Sequence, residues 1–301
     1  MAAWVSLLIV WLVWGSTYLA IRVGVETIPP LLLAAARNLV AGLIMFPIAL
    51  RSHRAAARAP GGTGSSWPSR AEWRGCAIVG VLLLVANAAV GIGEKTVPSG
   101  LAALLVATVP LWLLGIDAGL NHARLGLAPL AGLALGLAGV ALLSGLGRHS
   151  GGFSTVGVVI ILAAAAAWAL GTIMARRVTI PASPALASGM QLLVGGIVLT
   201  VLSAVTGEFG QLRLAQVSAG SWFALGYLIV MGSIVAYSAY GIAVRALPTT
   251  TVATYAYVNP VIAVLLGTLI LNERLTPAMF GGGALIVGAV VLVVRRSPPA
   301  H

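Results

Sequence analysis

Long apolar stretches alternate along this chain with short clusters of charge, proline, glycine and serine. Each stretch is close to the ~20 residues that a helix needs to cross the hydrocarbon core of a bilayer. Ten such runs occur, at residues 3–21, 31–50, 73–92, 99–118, 127–146, 154–175, 184–206, 220–241, 250–271 and 277–294. The pattern predicts an all-α integral membrane protein of ten transmembrane helices. Residues 55–69 are rich in Ala, Gly, Pro and Ser and are expected to form a flexible linker. The first run has no basic segment before it, so it reads as a retained helix rather than a cleaved signal.

The pattern is also written twice. Pro98 and Pro110 recur with the same spacing as Pro248 and Pro260, and Lys95, Asn87 and Arg124-Leu125 fall on Arg245, Tyr237 and Arg274-Leu275. Earlier in each half, Trp14, Arg22, Pro30, Arg37 and Gly42 fall on Trp168, Arg176, Pro184, Gln191 and Gly196. The duplication divides the chain into residues 1–148 and 149–301, each a five-helix repeat. An odd number of crossings per repeat makes the second copy enter the membrane from the opposite side. The ten helices are thus expected as two inverted repeats around a central cavity.

Composition narrows the class further. With 60% hydrophobic and 8% charged residues and a mean hydropathy of +1.06, the chain has too little polar surface for a soluble globule. A net charge of +11 would suggest nucleic acid in a soluble protein, but here it reflects topology and no nucleic-acid partner is expected. With the N-terminus cytoplasmic, the inner segments carry Arg51, Arg54, Arg58, Arg70, Arg74, Arg124, Arg176, Arg177, Arg245, Arg295 and Arg296. The outer connections carry only Arg22, Lys95, Arg148, Arg213 and Arg274. The positive-inside bias therefore places both termini in the cytoplasm. The lone cysteine, Cys76, excludes an internal disulfide and offers no metal framework.

The six acids, Glu26, Glu72, Glu94, Asp117, Glu208 and Glu273, all fall at or near predicted helix ends, which argues against a proton exchanger built on one central carboxylate. No serine lies in a G-x-S-x-G turn and no histidine begins an H-E-x-x-H site, so an enzyme is not expected. Polar and aromatic residues within the predicted spans are the better candidates. Thr251, Tyr255 and Asn259 recur every fourth residue and share a helix face; Ser233, Tyr237 and Tyr240 lie on the preceding run, Asn87 on the third, and Trp14, Thr17 and Tyr18 on the first. Trp168 and Thr172 are the repeat counterparts of Trp14 and Tyr18. Facing the polar stripe, its counterparts Leu101, Leu105 and Val109 form an apolar wall, a mixed lining suited to a small solute.

Pro110 and Pro260 each remove a backbone donor at equivalent places, so both are expected as helix breaks at a translocation site or as packing kinks. Arg37, about two turns inside the second helix, either snorkels to the headgroups or holds an anionic substrate group or a helix-end carbonyl, and ranks below the stripe. Glycines 132, 136, 139, 281, 282, 283 and 288 fit close contacts within each repeat or between protomers. Trp4, Trp67, Trp73 and Trp222 read as interfacial anchors.

Trp14-Gly15-Ser16-Thr17, Ile28-Pro29-Pro30, Arg37 and Glu273-Arg274-Leu275-Thr276 before a glycine-rich last helix together resemble the EamA-type family of the drug/metabolite transporter superfamily. Within it the chain is similar to the YddG-like aromatic amino acid exporter group. The resemblance covers essentially the whole chain. It implies a ten-helix carrier in the bacterial inner membrane, without cofactor, exporting amino acids or related metabolites by alternating access. A multidrug or lipophilic-cation exporter is the competing substrate class, and a passive channel or structural membrane subunit the competing kind of protein. A monomer is expected. The first repeat has Ala123 where the second has Glu273, so any gating role of that glutamate applies to Glu273 alone.

Overall fold

The fold is given by a computed structural model, which describes residues 2–59, 66–121, 127–143, 154–247 and 254–296. Among these the chain is helical, with no strand. In chain order the helices are α1 Ala2–Gly24, α2 Pro30–Arg58, α3 Arg70–Glu94, α4 Ser99–Val106, α5 Val109–Leu120, α6 Leu127–Leu143 and α7 Thr155–Arg177. There follow α8 Pro184–Val205, the short α9 Glu208–Gln211, α10 Ala219–Tyr227, a π-helical stretch Leu228–Val235, α11 Ala236–Ala246, α12 Tyr255–Leu271 and α13 Pro277–Arg296. Among the described residues seven segments are long and apolar enough to cross a membrane, and shorter apolar helices lie at Leu130–Leu142, Val258–Leu271 and Pro277–Ala289. The protein is an integral membrane protein, and large side chains such as Phe223, Leu269 and Val205 stand 75–80% exposed on its flanks, where lipid can cover them.

Local chemistry sets the helix ends. Ser69 accepts from the Glu72 amide while Glu72 accepts from the Ser69 amide, a reciprocal capping box that starts α3. Ser218 accepts from the Ser221 amide at the start of α10. Pro30 and Pro184 occupy first helical positions, where a missing amide hydrogen costs nothing. The α2 helix runs on to Arg58, into the stretch expected to be linker, because Ala and Arg are strong helix formers.

Two helix pairs, α2 with α8 and α6 with α13, pack especially closely. In the packing of α2 on α8, a Cβ on Gly42 would lie 2.5 Å from the Leu193 amide nitrogen, and one on Gly196 2.6 Å from that of Leu39. The partners rise on one helix as they fall on the other, so α2 and α8 run antiparallel with their backbones in contact, which only glycine permits. The same exchange recurs between α6 and α13, where Gly139 faces Ile286 and Gly136 faces Ala289. Gly139 therefore joins the earlier and later parts of the chain, while Gly136 also meets Leu111 of α5, a contact of the expected kind within the first part.

Candidate functional site

Between the halves lies a cavity of about 620 Å³ whose lining comes from α1, α2, α3, α4, α5, α7, α11 and α12. It extends from Ile21 and Val90 at one end to Asp117, Arg176 and Arg177 at the other. The latter three are exposed, so the cavity opens at the Asp117 end. Of the residues expected from sequence, Trp14, Thr17, Tyr18, Asn87, Trp168, Tyr237, Tyr255, Asn259, Pro110 and Pro260 all line it. Thr251 lies outside the described residues.

One wall is aromatic. Trp14 packs edge-on against Tyr237 at 5.6 Å and Tyr255 at 5.4 Å between ring centroids, and lies 5.1 Å from Tyr240. Edge-to-face rings at this spacing attract beyond their buried area, which fixes Trp14 as the centre of a rigid cluster. Asn259, 7% exposed, extends the wall; with its amide nitrogen turned inward it donates to the carbonyls of Tyr255 and Trp11, each at 3.2 Å. On the opposite wall Trp168 packs with Val106, Val109 and Leu113. The apolar wall is thus built by Val106, Val109, Leu113 and Leu114, whereas Leu101 and Leu105, expected there, are sealed in the core with Val97 and Ile161.

Arg37 changes the picture most. It is 5% exposed and does not snorkel: its Nε donates to Ser233 Oγ at 2.9 Å and an Nη to Asn87 Oδ1 at 3.2 Å, while the guanidinium lines the cavity. Among the described residues no carboxylate pairs with it. Ser233, expected to meet substrate, lies fully buried behind Arg37 and holds it in place. What orients Ser233 is the π-helical stretch 228–235, a local widening often found at functional sites. Nothing in the residue pattern announces that stretch; Arg37 itself was legible as an arginine inside an apolar run.

The two prolines behave differently. At Pro110 the helix breaks: α4 ends at Val106, α5 begins at Val109, and the Thr108 hydroxyl turns back to the Leu105 carbonyl at 2.6 Å. At Pro260 the helix α12 continues unbroken, a correction to the expected pair of breaks. An inner-facing α12 tolerates the missing donor because the cavity, not lipid, lies beside it.

Beyond Ile21 and Val90 the cavity is shut. Asn272, in the left-handed conformation at φ 54°, ends α12 and turns the chain so that Glu273 reaches back to α4. The Glu273 carboxylate accepts from the Ser99 amide at 2.8 Å, the Ser99 hydroxyl at 2.9 Å and the Gly100 amide at 3.2 Å. It satisfies the orphan donors and the positive end of the α4 dipole together. Gly267 makes room, since a side chain there would collide with that carboxylate. Beside it Arg22 donates to the Glu94 carbonyl, and Glu94, at the end of α3 as expected, is wholly buried. Glu208 performs a similar capping role on α2, accepting from the Leu32 amide at 2.8 Å.

Comparison with known proteins agrees with this architecture. The chain is 37% identical over 96% of its length, and 89% of the relative's, to YedA of Escherichia coli strain K12, an uncharacterized inner membrane transporter. It is 27% identical to a probable amino-acid metabolite efflux pump of the same organism, covering 95% of this chain and 93% of that one. It is also 27% identical to the uncharacterized transporter YvbV of Bacillus subtilis strain 168, over 97% and 92%. One crystal structure superposes with a TM-score of 0.60 at 22% identity, covering 96% of this chain and 95% of its own, which bears on the fold alone. The model of the EamA-like transporter family matches residues 1–145 and again 155–295. With two matches that together span nearly the whole chain, the protein is a membrane transporter belonging to the EamA-like transporter family.

Proposed function

We propose that the protein exports amino acids by alternating access, with Arg37 receiving the substrate carboxylate. The observation that carries this reading is a buried guanidinium facing the cavity with no carboxylate paired to it among the described residues. A charge kept in such a place without a counter-ion is costly, and an anionic substrate group supplies the counter-ion that the described residues do not. Two neutral acceptors, Ser233 and Asn87, hold the fork without cancelling its charge. The opposite walls, Trp14 with its tyrosines and Trp168 with Val109 and Leu113, accept an apolar side chain, and the aromatic faces accept the ammonium. The same guanidinium disfavours a lipophilic cation. Relatives named as amino-acid metabolite efflux pumps, and the aromatic lining shared with the YddG-like expectation, point the same way.

The chain is read as ten transmembrane helices in two inverted repeats, residues 1–148 and 149–301, acting as a monomer in the bacterial inner membrane. Antiparallel packing of the repeat equivalents α2 and α8 supports the inversion. The arginine bias supports cytoplasmic termini, which makes the Asp117 end inner and the Glu94 end outer.

The test is counterflow of labelled phenylalanine and leucine in proteoliposomes. Wild type is expected to show saturable counterflow that phenethylamine, lacking the carboxylate, does not inhibit. Arg37→Leu is expected to lower it by roughly 100-fold, from the ~1.5–3 kcal/mol of a charged hydrogen bond made twice over, while still inserting as a monodisperse protein. Equal inhibition by the amine, or transport of lipophilic cations alone, overturns the substrate assignment; flux that never saturates indicates a pore.

A further inference from the structure

Of the two buried acids among the described residues, Glu94 is the one that neither export nor capping uses. Both carboxyl oxygens are buried with no hydrogen-bond partner, in a side chain with no exposed surface. The other acids of this region are spoken for: Glu273 caps α4 and Glu208 caps α2. The end of α3 that carries Glu94 is packed against α1, α4 and α7. From α1 come Tyr18 and Arg22; the Arg22 guanidinium hydrogen-bonds the Glu94 carbonyl and makes no hydrogen bond to the carboxylate, though its charge favours the ionised acid. The connection after α12 brings Glu273, a like charge that is itself held by three donors. The helix α4 and the first turns of α7 bring no ionisable group, and the next residue, Lys95, is exposed to solvent.

An ionised carboxylate so placed would have neither water nor a donor and would face a second carboxylate; burial and that like charge outweigh the attraction of Arg22, so the shut end favours the neutral acid. Opening this end reverses the situation. Separating α12 from α4 releases Glu273 and admits water around Glu94, and a hydrated carboxyl gives up its proton at ordinary pH. The closure and the proton therefore depend on each other.

We propose that Glu94 is a proton-binding site that gates this end of the carrier, holding one proton while the end is shut and giving it up to water on the same side when the end opens. Reclosing takes a proton back from that side. Acid on the Glu94 side thus favours the conformation seen here, and alkali favours the one open to that side. The inference takes this end as the moving end of the proposed carrier, and its test reads closure without any substrate.

The experiment places spin labels on cysteines at Val156, at the start of α7, and Leu275, just after α12, both exposed, in a Cys76→Ala background, and measures their distance distribution in liposomes from pH 5 to pH 9. Wild type is expected to hold one short population at pH 5 and to gain a longer one as the pH rises. Glu94→Gln, a permanent mimic of the neutral acid, is expected to keep the short population across the range, and Glu94→Asp to restore the response. A distribution that ignores pH, or a response that survives in Glu94→Gln, overturns the proposal. Intact gating in a protein with no saturable amino-acid counterflow would leave the proton site standing and remove the export reading, and the reverse result would do the opposite.

Discussion

The two ends of the cavity use charge in opposite ways. At the Glu94 end a carboxylate accepts three hydrogen bonds from the first turn of α4, and a second carboxyl is sealed in beside it. At the Asp117 end the charged groups stand in the open: Arg177 lies 4.0 Å from Asp117, with side chains 38% and 59% exposed, and donates to Asn121 at 2.8 Å. The same residue types are costly and decisive where water is excluded, and nearly idle where it is present. A closed gate and an open mouth differ less in composition than in hydration.

If that contrast holds, the largest conformational effect belongs to Glu273. Glu273→Ala removes the cap of α4, leaving buried amides at Ser99 and Gly100 without an acceptor, a loss of about 2 kcal/mol. The equilibrium should move toward opening at this end by roughly thirtyfold. Distance measurements between the labels at 156 and 275 should show the longer population at every pH; an unchanged distribution would mean that the capping bonds do not hold the end shut. Glu273→Gln should fall between, keeping acceptor geometry without the charge.

A smaller effect should come from supplying the acid that the first repeat lacks. Ala123→Glu places a glutamate at the position that the sequence register aligns with Glu273, in residues 122–126, which lie outside the described residues. It is expected to add a competing closure at the Asp117 end worth about 1 kcal/mol, close to a fivefold shift. Labels on Leu120 and Ala246, both exposed, should approach one another. No approach would show that the repeats have diverged too far for the second closure to exist.

Much of this architecture could be read from the residues, because apolar runs of membrane-spanning length and a duplicated pattern are one-dimensional properties. Spacing likewise placed Tyr255 with Asn259 and Tyr237 with Tyr240 on shared helix faces, whereas the meeting of Trp14, Tyr237 and Tyr255 on one wall came only with the fold. What escaped was depth. Glu94 reads as a helix end, and only packing of α1, α4 and α7 around it shows that a helix end can be dry. Leu101 and Leu105 read as a cavity wall, but the break before Val109 rotates them into the core and turns Val106 and Leu113 outward. Pro260 reads like Pro110, yet α12 absorbs it. Arg37 drew a headgroup reading because a lone arginine in an apolar run usually snorkels; its acceptors come from α3 and the π-helical stretch, far away in the chain.

The smallest effect should belong to Asp117, and it tests the hydration argument most directly. Asp117 lines the same cavity as Arg37 and faces a cation at 4.0 Å, so a contact count would rank it with the gate. Water reaches both partners, however, and an exposed pair at this distance is worth at most about 0.5 kcal/mol. Asp117→Asn should therefore lower counterflow by less than about twofold, with the small change vanishing as salt is raised from 50 to 500 mM, since roughly half a molar salt screens charges beyond a few ångströms. A tenfold loss that persists in high salt would place Asp117 in a dry site and make the two ends alike; a null result in salt, beside a strong Glu273→Ala phenotype under the same conditions, would leave burial as what separates them.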